Sequence, residues 1–140
     1  MKFPAILLLS CVLTAQPHPA TSDLKRMLAE QGFTGELKGK VRFSSLGRLT
    51  CNARKLQVLY YEWEESNPPG NAIHSQYRIL FLGNESKYVG SYAVDDRPIA
   101  VGPDALLFHY EKDRGNKVQC NAHGLPNEVL LNGEPHALFK

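Results

Sequence analysis

The segment Lys55–Trp63 reads KLQVLYYEW and is the strongest strand signal in the chain. Alternate side chains of a strand lie on opposite faces, and here both faces are apolar. One face carries Leu56, Val58 and Tyr60, and the other carries Leu59, Tyr61 and Trp63. Because a strand with two apolar faces is typical of the middle of a layered structure, this segment predicts a central strand covered on both sides.

The same period-2 pattern continues on both sides of this segment, from Gly39 onward, and turn residues interrupt it repeatedly. The first strand is predicted to begin at Val41 and to end near Leu46-Gly47. In the strand over 87–94, we expect Tyr88, Tyr92 and Val94 to share one face. Further strands are predicted over 73–82, 99–101, 106–111, 117–120, 129–131 and 136–139, the last two joined by the hairpin dipeptide Asn132-Gly133.

Residues 21–31 form the one convincing helix pattern. Thr21 or Ser22 can cap its start, and Gly32 can take the left-handed conformation at its end. The connections between the later strands are too short for the crossovers that parallel strands need. The predicted fold is therefore mainly β: a single antiparallel barrel or sandwich of about eight strands connected as a meander, with one N-terminal α-helix, in one domain over 21–140.

Residues 1–20 predict a secretory signal peptide. Lys2 precedes an almost wholly apolar run over 3–13, and small or polar residues follow. The run is shorter than the roughly 20 apolar residues that span a bilayer. We expect cleavage after Ala15, with Ala20 as the alternative, and hence export to the periplasm or the extracellular space.

The chain has three cysteines. Cys11 follows a stretch similar to a lipobox, so a lipid anchor there is an alternative to its removal with the signal peptide. Cys51 and Cys120 would remain after export, and two thiols in an oxidising compartment predict one disulfide. Neither of them lies in a nucleophile motif. A bridge that closes so long a loop would stabilise the fold by about 4 kcal/mol in the chain-entropy model.

The charge balance argues against a nucleic-acid partner. Loss of Lys2 with the signal leaves fifteen basic against fourteen acidic residues, a net charge of +1, whereas nucleic-acid binders rely on clustered Lys and Arg. The basic residues are dispersed, and the densest group, Lys38, Lys40 and Arg42, alternates along one predicted strand face. No second apolar segment follows the signal, so we expect no integral membrane segment in the mature chain.

The longest connection between two strong strands follows the central strand and combines the single tryptophan with acidic residues and two prolines. Proline fixes φ and lowers the entropy lost when a loop is bound. The loop is either a solubilising hairpin tip or a recognition loop, and its candidate binding residues are Trp63, Glu64, Glu65, Asn67, Pro68 and Pro69. A separate turn contains the sequon Asn84-Glu85-Ser86, which would carry a glycan on Asn84 in a eukaryotic source.

No catalytic signature is present: the sequence lacks a nucleophile elbow, a zinc-protease motif, paired Cys-x-x-Cys and phosphate-binding glycine loops. We therefore predict no catalytic residues and no cofactor. A weak alternative is a metal site that combines His109 and Glu111 on one strand face with His74 from another strand. Asp95 and Asp96 lie in an Asp-Asp-Arg-Pro sequence that is typical of a turn.

The general type, a small exported β domain with one disulfide, resembles bacterial periplasmic lysozyme inhibitors and immunity proteins against wall-degrading toxins. This resemblance implies a non-enzymatic protein that binds another extracytoplasmic protein, such as a cell-wall hydrolase or a toxin, through a loop and a strand face. One alternative is a β-barrel that binds a small apolar ligand among Tyr60, Tyr77, Phe81 and Tyr92. A second alternative is a small hydrolase that uses His109, Glu111 and the Asp95/Asp96 region.

Overall fold

The structure is a computed structural model that describes residues 21–65, 70, 74–98, 100–108 and 116–140. The predicted signal segment, including Cys11, lies outside this range. The described elements are one helix, nine strands and a short 3-10 turn over Asn84–Ser86. In chain order they are α1 (Thr21–Glu30), β1 (Lys40–Cys51), β2 (Arg54–Glu64), β3 (Ser75–Leu82), β4 (Tyr88–Ala93), β5 (Ala100–Val101), β6 (Ala105–Leu107), β7 (Lys117–Gln119), β8 (Glu128–Leu131) and β9 (Glu134–Phe139).

The strands form a six-stranded antiparallel sheet in the order β1-β2-β3-β4-β9-β8 and a three-stranded antiparallel sheet in the order β5-β6-β7. The prediction of a mainly β, antiparallel fold with one N-terminal helix is confirmed. Of the two architectures that were expected, the sandwich-like meander fits, because the larger sheet has two different edge strands and does not close into a barrel.

β2 lies inside the larger sheet with both faces covered, as its sequence predicts. On one face, which we call the inter-sheet core, Val58 packs with Ile79, Phe81 and Tyr92 of the larger sheet and with Leu106 and Val118 of the smaller sheet. On the other face, the helix-side core, Leu24 and Leu28 of α1 pack with Phe33, Leu59, Tyr61, Leu80, Leu82 and Tyr88. The two cores account for the apolar residues on both faces of this strand.

A disulfide between Cys51 and Cys120 connects the two sheets, as the cysteine count predicts. Cys51 ends β1 and Cys120 follows β7, and their Cα atoms are 5.4 Å apart. Native disulfides are typically found at this separation. The bond therefore holds the short strands of the smaller sheet against the inter-sheet core.

The predicted end of the first strand near Leu46-Gly47 is wrong. β1 continues to Cys51 because a bulge between Ser45 and Gly47 absorbs the glycine, which has a φ of 124°. A bulge inserts one extra residue without ending the strand. It allows Leu49 and Cys51 to reach the inter-sheet core, where both are buried.

The expectation that Tyr88 shares a face with Tyr92 and Val94 is also wrong. The register of β3 and β4 shifts between Phe81, which pairs with Gly90, and Leu82, which pairs with Tyr88. The extra residue turns Tyr88 to the helix-side core, whereas Tyr92 and Val94 belong to the inter-sheet core. Strict alternation cannot predict such a shift, since it assumes that every residue is paired.

The hairpin predicted at Asn132-Gly133 is confirmed. Both residues have positive φ, 53° and 77°, as a tight turn of this kind requires, and they connect β8 to β9. No helix within the described residues is long and apolar enough to cross a membrane.

Removing the disulfide is expected to lower the free energy of unfolding by about 4 kcal/mol, because the bond closes a long loop and restricts the unfolded chain. The measurement is urea unfolding of the Cys51→Ser/Cys120→Ser double variant against the oxidised protein. Reduction of the wild-type protein with dithiothreitol is the control and should reproduce the loss. Equal stability of the oxidised and reduced proteins would contradict this assignment.

The buried tyrosines predict a loss of stability at alkaline pH. Burial raises the pKa of Tyr60 and of Tyr61 to about 12, and it also raises the pKa of Tyr92. An unfolded tyrosine has a pKa of about 10, so above that pH the unfolded chain loses protons that the folded protein retains. The stabilising contribution is complete below about pH 10 and is lost as the pH rises toward about 12.

Urea unfolding measured across this alkaline range, with tyrosinate absorbance recorded in parallel, checks the prediction. The Tyr60→Phe variant should show a shallower decline in the free energy of unfolding, since it removes one of the titrating groups. A free energy that does not change with pH in this range would be inconsistent with buried neutral phenols.

Candidate binding surface

Charged and aromatic side chains form two cross-strand rows at one end of the larger sheet, where β1 and β3 begin and β2 ends. In one row, Glu62 of β2 pairs with Arg42 on one side and Tyr77 on the other. In the next row, Glu64 pairs in the same way with Lys40 and Ser75. Since alternate residues share a face, both rows lie on the face that farther along the sheet forms the inter-sheet core. We call these six residues the charged rows.

The charged rows line a groove of about 500 Å³. The groove is lined by two cations and two anions, and one cation is paired with an anion. Arg42 Nε lies 3.4 Å from Glu62 Oε2. The Arg42 side chain is largely exposed, whereas the Glu62 side chain is 29% exposed. Just beyond β2, His74 Nδ1 lies 2.9 Å from Glu65 Oε2. A solvent-exposed ion pair such as Arg42–Glu62 contributes little to stability, but it presents a defined pattern of charge to a partner.

Tyr77 connects this groove to the core. Its ring stacks on Tyr60 with centroids 6.0 Å apart and planes 2° apart, and Tyr60 is buried. The Arg97 guanidinium lies over the Tyr60 ring, 5.3 Å from its centroid. Burial, with the nearby Glu62 charge, raises the pKa of Tyr60 to about 12, so the phenol stays neutral. Tyr77 is thus a half-buried aromatic on a rigid support.

Trp63 belongs to β2 and not to the following loop. Its indole lies on the face opposite to Glu62 and Glu64, where it packs against the helix-side core with Leu37, Val41 and Phe43. The indole Nε1 donates a hydrogen bond to the Lys38 carbonyl oxygen at 2.8 Å. This side chain holds the segment before β1 against the sheet.

The structure reaches only part of the predicted recognition loop. Glu64 is exposed at the end of β2, and Glu65 continues the pairing through a backbone bond from its N–H to the His74 carbonyl at 2.8 Å. Asn67, Pro68 and Pro69 lie outside the described residues. Sequence reasoning did not place Arg42, Lys40 and Tyr77 next to this loop, because they come from neighbouring strands and only the register of the sheet brings them beside Glu62 and Glu64.

The edge strand β1 is covered over only half of its length in the described part of the chain. Near its end, Thr50 N–H donates to the Pro103 carbonyl at 2.6 Å, and Val101 lies beside Gly47. Over residues 40–45 the described strands pair with β1 only through β2. An open strand edge can accept an added strand from another chain.

The predicted metal alternative falls partly outside the described residues, since His109 and Glu111 lie there, and His74 pairs with Glu65. A different trio comes together: one ligand atom each from Asp95, Glu134 and His136 lie within 4.8 Å of one another. The His136 Nδ1 is engaged by the Ala93 carbonyl. Both carboxylates are exposed, and groups of this kind are common without an ion, so the trio does not define a metal site.

The other residues that the sequence analysis named lie in the core or in turns. Tyr60, Phe81 and Tyr92 are packed in the inter-sheet core, where Phe81 and Tyr92 meet edge to face at 5.9 Å. Asp96 accepts a hydrogen bond from the Arg97 N–H at 2.9 Å, as expected for a turn. Asn84 is exposed at the start of the 3-10 turn.

Comparison with family models gives no match for this chain, and comparisons with curated proteins and with solved structures give none either. The fold and the surface chemistry are therefore the basis of any functional argument.

Replacing Trp63 is expected to destabilise the protein. Trp63→Ala removes a half-buried indole and should lower the free energy of unfolding by about 2 kcal/mol, less than the cost at a fully buried site. Trp63→Phe keeps a ring and should lose about 1 kcal/mol with the hydrogen bond to Lys38. Urea unfolding measures both values, with Glu64→Ala as the exposed neighbour that should change stability little. If Trp63→Ala and Glu64→Ala behave alike, the packing role is wrong.

Proposed function

We propose that this chain is an exported, non-enzymatic binding protein that captures another extracytoplasmic protein through the charged rows, in the manner of an inhibitor or an immunity protein. The observation that carries the proposal is the arrangement of Arg42, Glu62, Glu64 and Tyr77 around one groove on a rigid sheet. The partner class is a secreted protein such as a cell-wall hydrolase or a toxin.

The residue types support protein recognition. Tyrosine and arginine are enriched where protein interfaces concentrate their binding energy, and Tyr77 is already immobilised by its stacking on Tyr60. A pre-ordered side chain loses little entropy on binding. The alternation of Lys40 and Arg42 with Glu62 and Glu64 can select a partner by complementary charge.

The edge of β1 that the described strands leave unpaired offers a second mode of contact beside the groove. An extended segment of the partner can pair with residues 40–45 through the backbone, and its side chains on one face would then lie next to the charged rows. Lys40 and Arg42 on this edge also oppose unselective pairing between copies of the protein, because like charges meet there.

Export is supported by two observations of different kinds. Residues 1–20 have the pattern of a signal peptide, and the fold contains a disulfide that joins its two sheets. Disulfides persist in oxidising compartments. The periplasm or the extracellular space is accordingly the proposed location.

The test is a charge reversal at Glu64, whose side chain is exposed and lines the groove. Glu64→Lys places a third cation beside Lys40 and Arg42 and should weaken partner capture at least about tenfold, roughly 1.4 kcal/mol. The melting temperature should change little, since exposed substitutions rarely alter stability. Wild-type and variant proteins are immobilised and exposed to an extracytoplasmic extract of the source cell, and retained proteins are identified and their affinities measured.

Glu128→Lys is the matched control, because Glu128 is also an exposed strand glutamate but lies on the opposite edge strand, β8. A protein retained by the wild type and by Glu128→Lys but released by Glu64→Lys supports the proposal. Retention of the same proteins by all three, or of none by the wild type, overturns it.

A further inference from the structure

A second groove, of about 710 Å³, lies at the opposite end of β2 from the charged rows. It is lined by the β1–β2 turn, the 3-10 turn between β3 and β4, and the corner that follows Cys120 of the disulfide (residues 121–125). From Lys55 to Glu64 the strand spans about 30 Å at a rise of about 3.3 Å per residue. The two surfaces are therefore separate.

The lining of this second groove is cationic. Arg54, Lys55 and Lys87 line it, together with His123 and Lys140, and no aspartate or glutamate is among the lining residues that the structure describes. Within the described part of the chain, no carboxylate lies within ion-pair distance of Arg54, Lys55 or Lys87. We call this feature the basic groove. The described acidic residues leave its positive charge uncompensated, in contrast to the Arg42–Glu62 pair at the other end of β2.

The backbone around the basic groove is held in uncommon conformations. Asn52 and Ala53 have φ values of 49° and 65°, and Glu85 and Ser86 have 57° and 58°. Two consecutive positive φ values are what a two-residue turn between antiparallel strands requires, so the first pair follows from the hairpin that joins β1 to β2. Asn52 Nδ2 also donates to the Asn121 carbonyl at 2.8 Å, which connects the first turn to the corner beyond the disulfide.

The groove has groups suited to a hydroxylated anion. Asn52 and Asn84 add amide groups to its wall, and Leu138 and the partly exposed Val89 add apolar surface. Among the described lining residues, Tyr88 is the one tyrosine, phenylalanine or tryptophan, but it is buried and its hydroxyl lies 2.9 Å from Ser91 Oγ. The exposed ring left to stack on a base is the His123 imidazole, whereas sites for single-stranded nucleic acid present aromatic side chains to successive bases.

We infer that the basic groove is a binding site for an acidic polysaccharide, whose carboxylates pair with Arg54, Lys55 and Lys87 and whose hydroxyls bond to the asparagine amides. The arginine fork suits a carboxylate through two parallel hydrogen bonds, and the lysines act as flexible point charges. An acidic glycan of the cell envelope or of the extracellular matrix meets this description in the compartment proposed for the protein. Such binding would hold the protein at a surface while the charged rows remain free.

The test uses an oligogalacturonate as the probe, and binding to the full exported protein is measured by titration calorimetry at low and at physiological salt. We expect saturable binding that weakens as salt rises. Lys87→Glu and Arg54→Glu should each weaken it at least about tenfold, since each removes one charged pair and adds repulsion. Lys117→Glu is the matched control: Lys117 is an exposed lysine on β7 that does not line the groove, and its replacement should leave the affinity within about twofold.

Two further probes decide the ligand class, a neutral glucan of the same length and a single-stranded oligonucleotide. Weak or absent binding of both, with loss of oligogalacturonate binding in the groove variants alone, supports the inference. No binding of oligogalacturonate overturns it, as does equal loss in Lys117→Glu or tighter binding of the oligonucleotide. Circular dichroism of each variant shows that it is folded, so that a loss of binding reports on the groove.

Discussion

Burial of both faces of β2 is the constraint on which the rest of the structure depends. Val58 and Tyr61 are fully buried on opposite sides of this strand, so each side needs its own cover. The helix covers one side with Leu24 and Leu28. The other side is covered by strands of only two or three residues, which are too short to be stable alone. The Cys51–Cys120 bond holds this small sheet in place by covalent attachment.

On that second side the described residues cover only part of the larger sheet, and this explains where the proposed recognition surfaces lie. The small sheet packs through Leu106 over the part of the larger sheet near Leu49, and the described residues leave the other end, with the charged rows, accessible to a partner. At that end cations and anions occur together, whereas at the start of β2 the charged residues among the described groove lining are all cations. A balanced pattern favours selection of one shaped protein, and a single-sign pattern favours a polymer of opposite charge.

The local elements could be read from the sequence because they depend on neighbouring residues. The helix over Thr21–Glu30 and the turn at Asn132-Gly133 follow from capping residues, apolar spacing and the conformations that each residue tolerates. The position of Tyr88 could not be read in this way. It depends on one unpaired residue opposite β3, and a bulge forms where packing of the whole sheet favours it.

The amino-acid sequence by itself determined the β class, the central strand, the helix and the pairing of two cysteines. Apolar alternation and turn residues act on neighbouring residues, and two cysteines that remain after export can form only one disulfide. Tertiary structure alone decided which charges share a surface. Arg54 and Lys87 are distant in the chain, yet they line one groove because antiparallel strands return their turns to the same end of the sheet. It also separated Trp63 from Glu64, since adjacent residues of a strand face opposite layers, and the register of neighbouring strands decides what each one meets.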